Sequence, residues 1–233
     1  MERGLFDSRA KAQAAIAAGL VSVGGVALAR PSEAIPDDAA IEAESPHPYV
    51  SRGGLKLAAA LDAFRINPAG MVALDVGAST GGFTDCLLQR GAARVYAVDV
   101  GYGQLAWRLR QDPRVVVVER CNARYLDRSH VPEPVDLVTI DVSFISLTMI
   151  LPAVRACLIP RGQVVALLKP QFEVGKGKVG RGGIVRDERL RRDTVEKVRG
   201  AVESQRWEWC GDIPSPITGQ KGNVEYVIRL RPS

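Results

Sequence analysis

The residues best suited to chemistry lie in and just after a glycine-rich turn in the first half of the chain. An apolar run from Val72 to Leu74 leads into Asp75, and Gly77, Gly81 and Gly82 follow before an amphipathic run. This order predicts a strand, a tight turn and a helix. Glycine allows a positive φ and the close approach of a ligand, and the start of a helix offers free N–H groups. In an open α/β sheet, a nucleotide-like ligand binds at such a turn.

The spacing of the glycines excludes two common phosphate-binding motifs. It reads G-x-x-x-G-G, whereas dinucleotide folds use G-x-G-x-x-G and phosphate loops place a Lys after the glycines. Asp75 would repel a pyrophosphate, but it suits a ligand with a cationic end, such as the amino group of a methionine moiety. Asp99 ends the next predicted strand, where an acid can accept both ribose hydroxyls of an adenosine. Together these acids favour S-adenosylmethionine over a plain strand–helix connection, which is the alternative for an isolated glycine turn.

The same cofactor should reach the ends of the neighbouring strands. A buried third strand of four valines leads to Asn122, whose polar groups can read an adenine edge, and a fourth strand, Val135 to Ile140, leads to Asp141. The candidate cofactor-binding residues are therefore Asp75, Gly77, Ser79, Thr80, Gly81, Gly82, Phe83, Asp99, Asn122 and Asp141.

Composition bounds the class of protein. The 233 residues suffice for one full α/β domain with a small appendage, and 46% hydrophobic and 24% charged residues are typical of a soluble protein. A net charge of +5 is compatible with a polyanionic partner, whereas 6% aromatic residues argue against base stacking on many rings. The scattered cysteines argue against a zinc site or a disulfide framework and fit a reducing cytosol; they are Cys86, Cys121, Cys157 and Cys210.

The remaining patterns favour a cytoplasmic location. The first residues carry charges without an apolar stretch, so we expect no signal peptide. The chain contains no run of 18 apolar residues, so we expect no transmembrane helix. We therefore expect neither a membrane nor a metal among the partners of this chain.

Residues 1–45 have the pattern of a separate small unit. A helix with Asp7 or Ser8 as N-cap should end at Gly19, and two short alternating runs around a Gly-Gly pair predict a hairpin. Arg9 and Lys11 oppose the helix dipole in the first turn, which favours contact with phosphate over a merely solvated helix face. The proline-rich residues 31–50 should hold the last strand of this unit and then a linker, residues 46–50.

The segment ERGLFDSRAKAQAAIAAGLVSVGG resembles the S-four-like RNA-binding domain, which pairs a Ser-Arg-x-x-Ala helix with a Val-x-Val-Asn-Gly hairpin. Gly24 stands where that pattern has Asn, and Met1 falls part-way through the first helix of the pattern. The resemblance therefore implies a small α+β RNA-binding domain, shortened at its N-terminus, over residues 1–45.

Residues 51–233 have the pattern of the α/β domain. Ser51 is the expected N-cap of a helix that places Arg52 and Lys56 on one face, where they attract a phosphate or a carboxylate unless the face is only solvated. Lys169 follows a fifth apolar strand, and Glu225 lies in the last predicted strand. The alternation of strands and helices predicts a right-handed, doubly wound sheet, in which parallel strands bring their carboxyl ends to one crevice.

A glycine-rich basic segment, Gly175 to Asp187, follows Lys169. Its composition predicts a flexible loop that contacts RNA phosphates, with an incidental mobile loop as the alternative. The candidate RNA-binding residues along the chain are Ser8, Arg9, Lys11, Arg52, Lys176, Lys178 and Arg181.

Four motifs in order, SRGGLK, DVSFIS, LKPQFE and GNVEY, resemble the TlyA-like branch of FtsJ-type RNA ribose 2′-O-methyltransferases. The resemblance covers Tyr49 to Leu230. It implies a Rossmann-like methyltransferase sheet, S-adenosylmethionine as cofactor, and ribosomal RNA or ribosomal subunits as partner, with a cytidine as the methylated nucleotide. It also implies a catalytic Lys-Asp-Lys-Glu tetrad, which maps to Lys56, Asp141, Lys169 and Glu225.

The chemistry of that reaction suits those residue types. A ribose hydroxyl is a weak acid, so it must be deprotonated or strongly oriented before it attacks a methyl sulfonium, and a Lys can do either when its surroundings are arranged for it. Lys169 is the candidate for that role, with Asp141 and Glu225 positioning the two lysines and Lys56 favouring the developing alkoxide. Alignment of sulfur, methyl and oxygen then supplies much of the rate.

Two other classes of function stay open at this point. Members of the family are often labelled haemolysins, which implies a membrane-active toxin, although the chain lacks an apparent export signal and a long apolar helix. A non-catalytic RNA-binding protein with the same fold is the other alternative, and the complete tetrad argues against it.

Overall fold

The computed structural model describes residues 5–6, 9–17, 19–36, 38–43, 47–175, 177–180 and 182–233, and only the backbone of Ala10, Lys11 and Gln220. The chain forms two compact units, Met1–Pro48 and Tyr49–Ser233. The first unit ends inside the predicted linker. The expected N-cap residues Asp7 and Ser8 lie outside the described residues.

The described residues of the first unit form one helix and a small antiparallel sheet. Helix α1 (Arg9–Ala17) is followed by β1 (Val21–Val23), β2 (Val26–Ala27) and β3 (Ile41–Ala43), in the sheet order β2-β1-β3. The β1–β2 turn has positive φ at both of its glycines, 58° and 80°, which is the geometry that matches the twist of a hairpin. The predicted helix and hairpin are therefore present, while the S-four-like identity of the unit stays a prediction.

The second unit is built on a seven-stranded sheet with helices on both faces. Its helices and strands are, in order, α2 (Gly53–Ala63), β4 (Val72–Val76), α3 (Gly82–Gln89), β5 (Arg94–Val98), α4 (Trp107–Arg110), β6 (Val115–Val118), β7 (Val135–Ile140), α5 (Leu151–Cys157), β8 (Leu158–Leu168), α6 (Pro170–Glu173), α7 (Glu188–Ser204), β9 (Trp207–Pro214) and β10 (Tyr226–Pro232).

The strand order is β6-β5-β4-β7-β8-β10-β9. Strands β4 to β8 are mutually parallel, and β10 pairs antiparallel with both β8 and β9. The chain winds outward from β4 to β6 and then returns to place β7 on the other side of β4. Such a reversal leaves a crevice beyond the carboxyl ends of β4 and β7.

Successive side chains along the strands point to opposite faces of the sheet and belong to two hydrophobic cores. Leu74 and Val76 of β4 belong to the core that α5 and α7 cover, whereas Ala73 belongs to the core that α2 and α3 cover. Because both faces of the sheet are covered, its central strands are apolar on both sides, as parallel strands usually are. The predicted doubly wound α/β fold is confirmed, with one antiparallel strand that the sequence did not indicate.

Several local expectations differ from the structure. Helix α2 begins at Gly53 with Arg52 at the N-cap and no side-chain cap, because the Ser51 hydroxyl packs instead against Gly82, where an added Cβ would lie 2.2 Å from it. The run from Met149 to Gly162 predicts a helix that ends at Pro160–Gly162, but α5 ends at Cys157, because β8 already pairs with β7 at Leu158. Strand β6 is an edge strand and only partly buried, not the buried strand expected.

The close packing of Gly54 on Tyr49 gives a test of this architecture. A Cβ at Gly54 would lie 2.3 Å from Cγ of the Tyr49 ring, close to the backbone where the ring has little freedom to move. We expect Gly54→Ala to lower the free energy of unfolding by about 1–3 kcal/mol, measured by urea denaturation.

The matched control is Gly200→Ala on α7, where nothing lies within 4 Å of the added Cβ. There the higher helix propensity of Ala should raise stability by up to about 1 kcal/mol. Equal stability changes of the same sign at both positions would contradict the packing described here.

Candidate active site

Two lysine–carboxylate pairs meet at the carboxyl edge of the large sheet. Lys56 Nζ lies 2.5 Å from Glu225 Oε2, and Lys169 Nζ lies 2.5 Å from Asp141 Oδ1. All four residues line one cavity of about 320 Å³, which we call the lysine cavity. The structure thus brings together the four residues that the sequence motifs indicated, although they are spread over most of the second unit.

The architecture explains how these groups converge. Asp141 directly follows β7, and its N–H donates to the carbonyl of Val76 on β4 at 2.9 Å. Lys169 follows β8 and forms the N-cap of α6. Glu225 directly precedes β10, so the antiparallel direction of that strand places its amino end at the same edge.

The two pairs differ in burial. The Lys56–Glu225 pair is almost fully enclosed, whereas the Asp141 side chain keeps 24% of its surface exposed to the cavity. Removing one partner of an enclosed pair leaves an uncompensated charge, so the Lys56–Glu225 pair is suited to holding the cavity wall in place. The Lys169–Asp141 pair is suited to contact with a reactant.

Other polar groups of the lysine cavity were not predicted. Lys169 Nζ donates to Ser143 Oγ at 3.3 Å, and Gln171 Nε2 donates to Glu225 Oε1 at 3.5 Å. Gly219 packs on Glu225, since a Cβ there would lie 1.9 Å from Oε1. Ser143 and Gln171 each lie two residues after a predicted catalytic residue, and that spacing is the signal that could have found them.

A second cavity of about 820 Å³, here the Asp99 cavity, shares part of its wall with the lysine cavity through Asp141, Ser143 and Phe172. Asp99 Oδ2 accepts the N–H of Ser79 at 2.8 Å, and Oδ1 accepts the N–H of Gly101 at 2.7 Å. These bonds tie the end of β5 to the glycine turn and fix the carboxylate in the cavity wall.

Eight of the ten predicted cofactor-binding residues line one or both of the cavities, whereas Asp75 and Gly81 line neither. Gly81 is the N-cap of α3 and packs against Leu105 and Leu109. The lysine cavity is lined by Gly77, Ser79, Thr80, Gly82, Phe83 and Asp141, and the Asp99 cavity by Gly77, Ser79, Asp99, Asn122 and Asp141.

Gly77 allows the two central strands to end side by side. Its φ is 85°, and a Cβ would lie 2.5 Å from the carbonyl oxygen of Asp141. Both the conformation and the contact favour glycine. A larger residue would push the turn after β4 away from Asp141.

Asp75 lies beneath the glycine turn and is fully buried. It accepts hydrogen bonds from the Thr84 hydroxyl at 2.7 Å and the Thr139 hydroxyl at 3.0 Å. Burial raises the pKa of this carboxyl to about 7. In this position Asp75 joins β4 to β7 and to α3, and its expected contact with the cationic end of a ligand stays a prediction.

The structure describes the side chains of three of the seven predicted RNA-binding residues, and these lie on different segments of the chain. Arg52 lines the lysine cavity, Arg9 is exposed at the start of α1, and Lys178 lies in the exposed segment before α7. Ser8, Lys176, Arg181 and the side chain of Lys11 lie outside the described residues.

The fold first defines a broad class of protein. A solved structure of an S-adenosylmethionine-dependent methyltransferase from Mesorhizobium loti matches with a TM-score of 0.53, covering 74% of this chain and 96% of that one. Its sequence identity is 15%, so the likeness concerns the fold alone. This chain has the sheet of that class of methyltransferase.

Closer comparisons define the family. The model of the FtsJ-like methyltransferase family matches residues 49–231. A 16S/23S rRNA (cytidine-2′-O)-methyltransferase, TlyA of Mycobacterium tuberculosis, is 50% identical over 99% of this chain and 87% of its own length. A solved structure from Streptococcus thermophilus, described as a hemolysin, is 43% identical with a TM-score of 0.81, covering 100% of this chain and 86% of that one. The chain belongs to the FtsJ-like methyltransferase family, in its TlyA-like branch, and is a methyltransferase.

The environment of Asp75 predicts a dependence of stability on pH. Its pKa in the folded protein, about 7, exceeds the ordinary value of 3.8, so the folded protein favours the protonated form. The contribution of Asp75 to stability is therefore present below about pH 4 and is lost as the pH rises to about 7. The difference between the two pKa values corresponds to a loss of at most about 4 kcal/mol in the free energy of unfolding.

We expect Asp75→Asn to remove this part of the pH dependence, because an amide can bond both threonine hydroxyls without ionising. Urea unfolding between pH 4 and 8 measures it. The control is Asp193→Asn, which changes an exposed carboxylate on α7 and should leave the pH dependence as in the wild type. A wild-type-like slope in Asp75→Asn would refute the assignment.

Proposed function

We propose that this protein transfers the methyl group of S-adenosylmethionine to a ribose 2′-hydroxyl of ribosomal RNA, with a cytidine as the acceptor nucleotide. The observation that carries the proposal is the convergence of two lysine–carboxylate pairs on the lysine cavity, beside the Asp99 cavity. The rRNA (cytidine-2′-O)-methyltransferase activity in the name of the Mycobacterium tuberculosis relative supports the choice of substrate.

The Asp99 cavity suits the adenosine part of the cofactor. Its volume falls in the range of small-molecule sites. The Asp99 oxygens already accept backbone N–H groups, and each retains a lone pair for a ribose hydroxyl. Asn122 lines the same cavity and offers an amide to the base. When bound, the cofactor supplies an electrophilic methyl group on a sulfonium.

The lysine cavity suits the acceptor hydroxyl. The ammonium of Lys169, held by Asp141, has N–H donors and no acceptor, so this pairing favours orientation of the hydroxyl over removal of its proton. As the S–CH3 bond breaks and the O–CH3 bond forms, the hydroxyl proton passes to solvent or to the Asp141 carboxylate, and the Lys169 N–H groups stabilise the negative charge that develops on the oxygen as this proton leaves. Lys56 and Glu225 hold the opposite wall and keep the local charge balanced.

Contact with RNA phosphates falls to the exposed cations. Arg52 lies at the lysine cavity, and Lys178 is placed in the basic segment Gly175 to Asp187. We further propose that residues 1–45 form an S-four-like RNA-binding domain joined by residues 46–50 to the methyltransferase domain, 51–233. Acting on ribosomal RNA, the enzyme would work in the cytoplasm.

Replacing Lys169 by Ala should lower the rate of methyl transfer by about 10²–10⁴-fold, because the acceptor loses its orienting group. Binding of S-adenosylmethionine, measured by calorimetry, should stay within about threefold of the wild type. The control Arg161→Ala removes one exposed positive charge at the opposite edge of the sheet and should leave the rate unchanged. Normal turnover in Lys169→Ala would exclude the proposed role.

The reaction itself is tested by transfer of a labelled methyl group to unmodified ribosomal RNA and to ribosomal subunits. We expect a nuclease-resistant 2′-O-methylcytidine, and nuclease mapping gives its position. Methylation of a base instead of a ribose would contradict the proposal. Binding of the cofactor without any transfer to RNA or subunits would also contradict it.

A direct lytic activity is the competing function, which the description of the Streptococcus thermophilus structure raises. Among the residues that the structure describes, no helix combines the length and hydrophobicity needed to cross a bilayer. Purified protein should leave red cells intact at concentrations that saturate methyl transfer. Release of haemoglobin in proportion to protein, also from the Lys169→Ala variant, would favour lysis.

A further inference from the structure

A buried carboxylate outside the predicted site joins the two segments that carry the Lys169–Asp141 pair. Glu173 is the last residue of α6 and is 8% exposed. Its Oε1 accepts the backbone N–H of Leu147 at 2.8 Å. Leu147 lies just beyond the segment Val142–Ser146, here the 142–146 loop, which follows Asp141. A single side chain thus connects α6, which follows Lys169, to this loop.

Burying the Glu173 carboxyl group costs desolvation free energy. Burial raises the pKa of Glu173, and the hydrogen bonds from Leu147 and from the Ser146 side chain only partly oppose that effect. An apolar side chain of similar size would avoid the cost of desolvation but would leave the Leu147 N–H without this acceptor. The carboxyl group therefore contributes something other than burial of surface.

The 142–146 loop needs such a connection, because its backbone is strained. Phe144 has a φ of 64°, in the left-handed region that costs a non-glycine residue of order 1 kcal/mol or more. Its ring is largely exposed and contacts the ring of Phe172, at 4.9 Å between centroids. Phe172 directly precedes Glu173, so ring contact and hydrogen bond join the same two segments.

The position of the loop bears on the reacting groups. Ser143, within the loop, accepts the hydrogen bond from Lys169 Nζ at 3.3 Å. Ser143 lines both cavities. A loop that moved away from α6 would therefore shift a partner of Lys169 and the wall shared by the two cavities.

We propose that Glu173 is a positioning residue for methyl transfer, which fixes the 142–146 loop against α6 and thereby holds the Ser143 hydroxyl and Asp141 at Lys169. This inference rests on the proposed function. It assigns no contact between Glu173 and a reactant, so Glu173 acts only through the loop.

Two variants of similar size separate the hydrogen bond from the packing. Glu173→Gln keeps an oxygen that accepts from Leu147 and adds an N–H group that can donate to Ser146. Glu173→Met fills the same space without an acceptor. Leu158→Ala serves as a destabilised control, since it removes a buried side chain at the opposite edge of the sheet.

Hydrogen exchange, read by mass spectrometry on peptides that cover residues 142–149, reports the loop independently of activity. Glu173→Met should speed exchange there at least about tenfold, whereas Glu173→Gln and Leu158→Ala should leave it near the wild-type rate. Methyl transfer to ribosomal RNA gives the second measurement. A misplacement of about 1 Å costs up to about 100-fold in rate, so kcat of Glu173→Met should fall about 10- to 100-fold, with smaller changes in KM.

In the same assay, Glu173→Gln should keep kcat within about threefold of the wild type, and Leu158→Ala should do so at temperatures where it is folded. The inference is overturned if exchange at residues 142–149 is unchanged in Glu173→Met. It is also overturned if Glu173→Met keeps its kcat, or if Glu173→Gln loses kcat as fully as Glu173→Met. A wild-type protein without methyl transfer would instead refute the proposed function, while the exchange data would still test the connection made by Glu173.

Discussion

The direction of one strand decides whether the four charged groups can meet. β10 runs antiparallel to β8, so Glu225 enters the sheet at the edge where Asp141 and Lys169 leave it. If β10 ran parallel, its seven residues would carry Glu225 roughly 20 Å away, to the other edge. Lys56 would then lie enclosed without its partner. The antiparallel strand is therefore as necessary to the site as the charged residues themselves.

The two ion pairs of this site have different surroundings. The Lys56–Glu225 pair is almost fully enclosed, and Gly219 packs against the Glu225 carboxylate. The Lys169–Asp141 pair meets the cavity, and its surroundings come from the turn after β8 and the loop after β7. Because the charges balance within each pair, these four residues create no large field of one sign in the cavity.

Local sequence patterns predicted correctly those elements of the fold that depend on residues close together in the chain. The apolar runs located β4 and β7, and the Gly-Gly pair located the hairpin of β1 and β2. They could not show the direction of β10 or the burial of Asp75, because both depend on which strands become neighbours. Glu173 escaped notice for the same reason, since its partner Leu147 lies 26 residues away and bonds through its backbone.

The position of β10 also determines the order in which parts of the sheet can fold. In sequence it follows every other strand described, yet in space it lies between β8 and β9. The ion pair of Lys56 with Glu225 joins residues 169 positions apart. Contacts of such long range form late and slowly, because a large loop must close before they yield any stabilisation. The side of β8 that β10 occupies therefore stays open until β10 has been synthesised, and the lysine cavity is complete only once β10 has paired with β8.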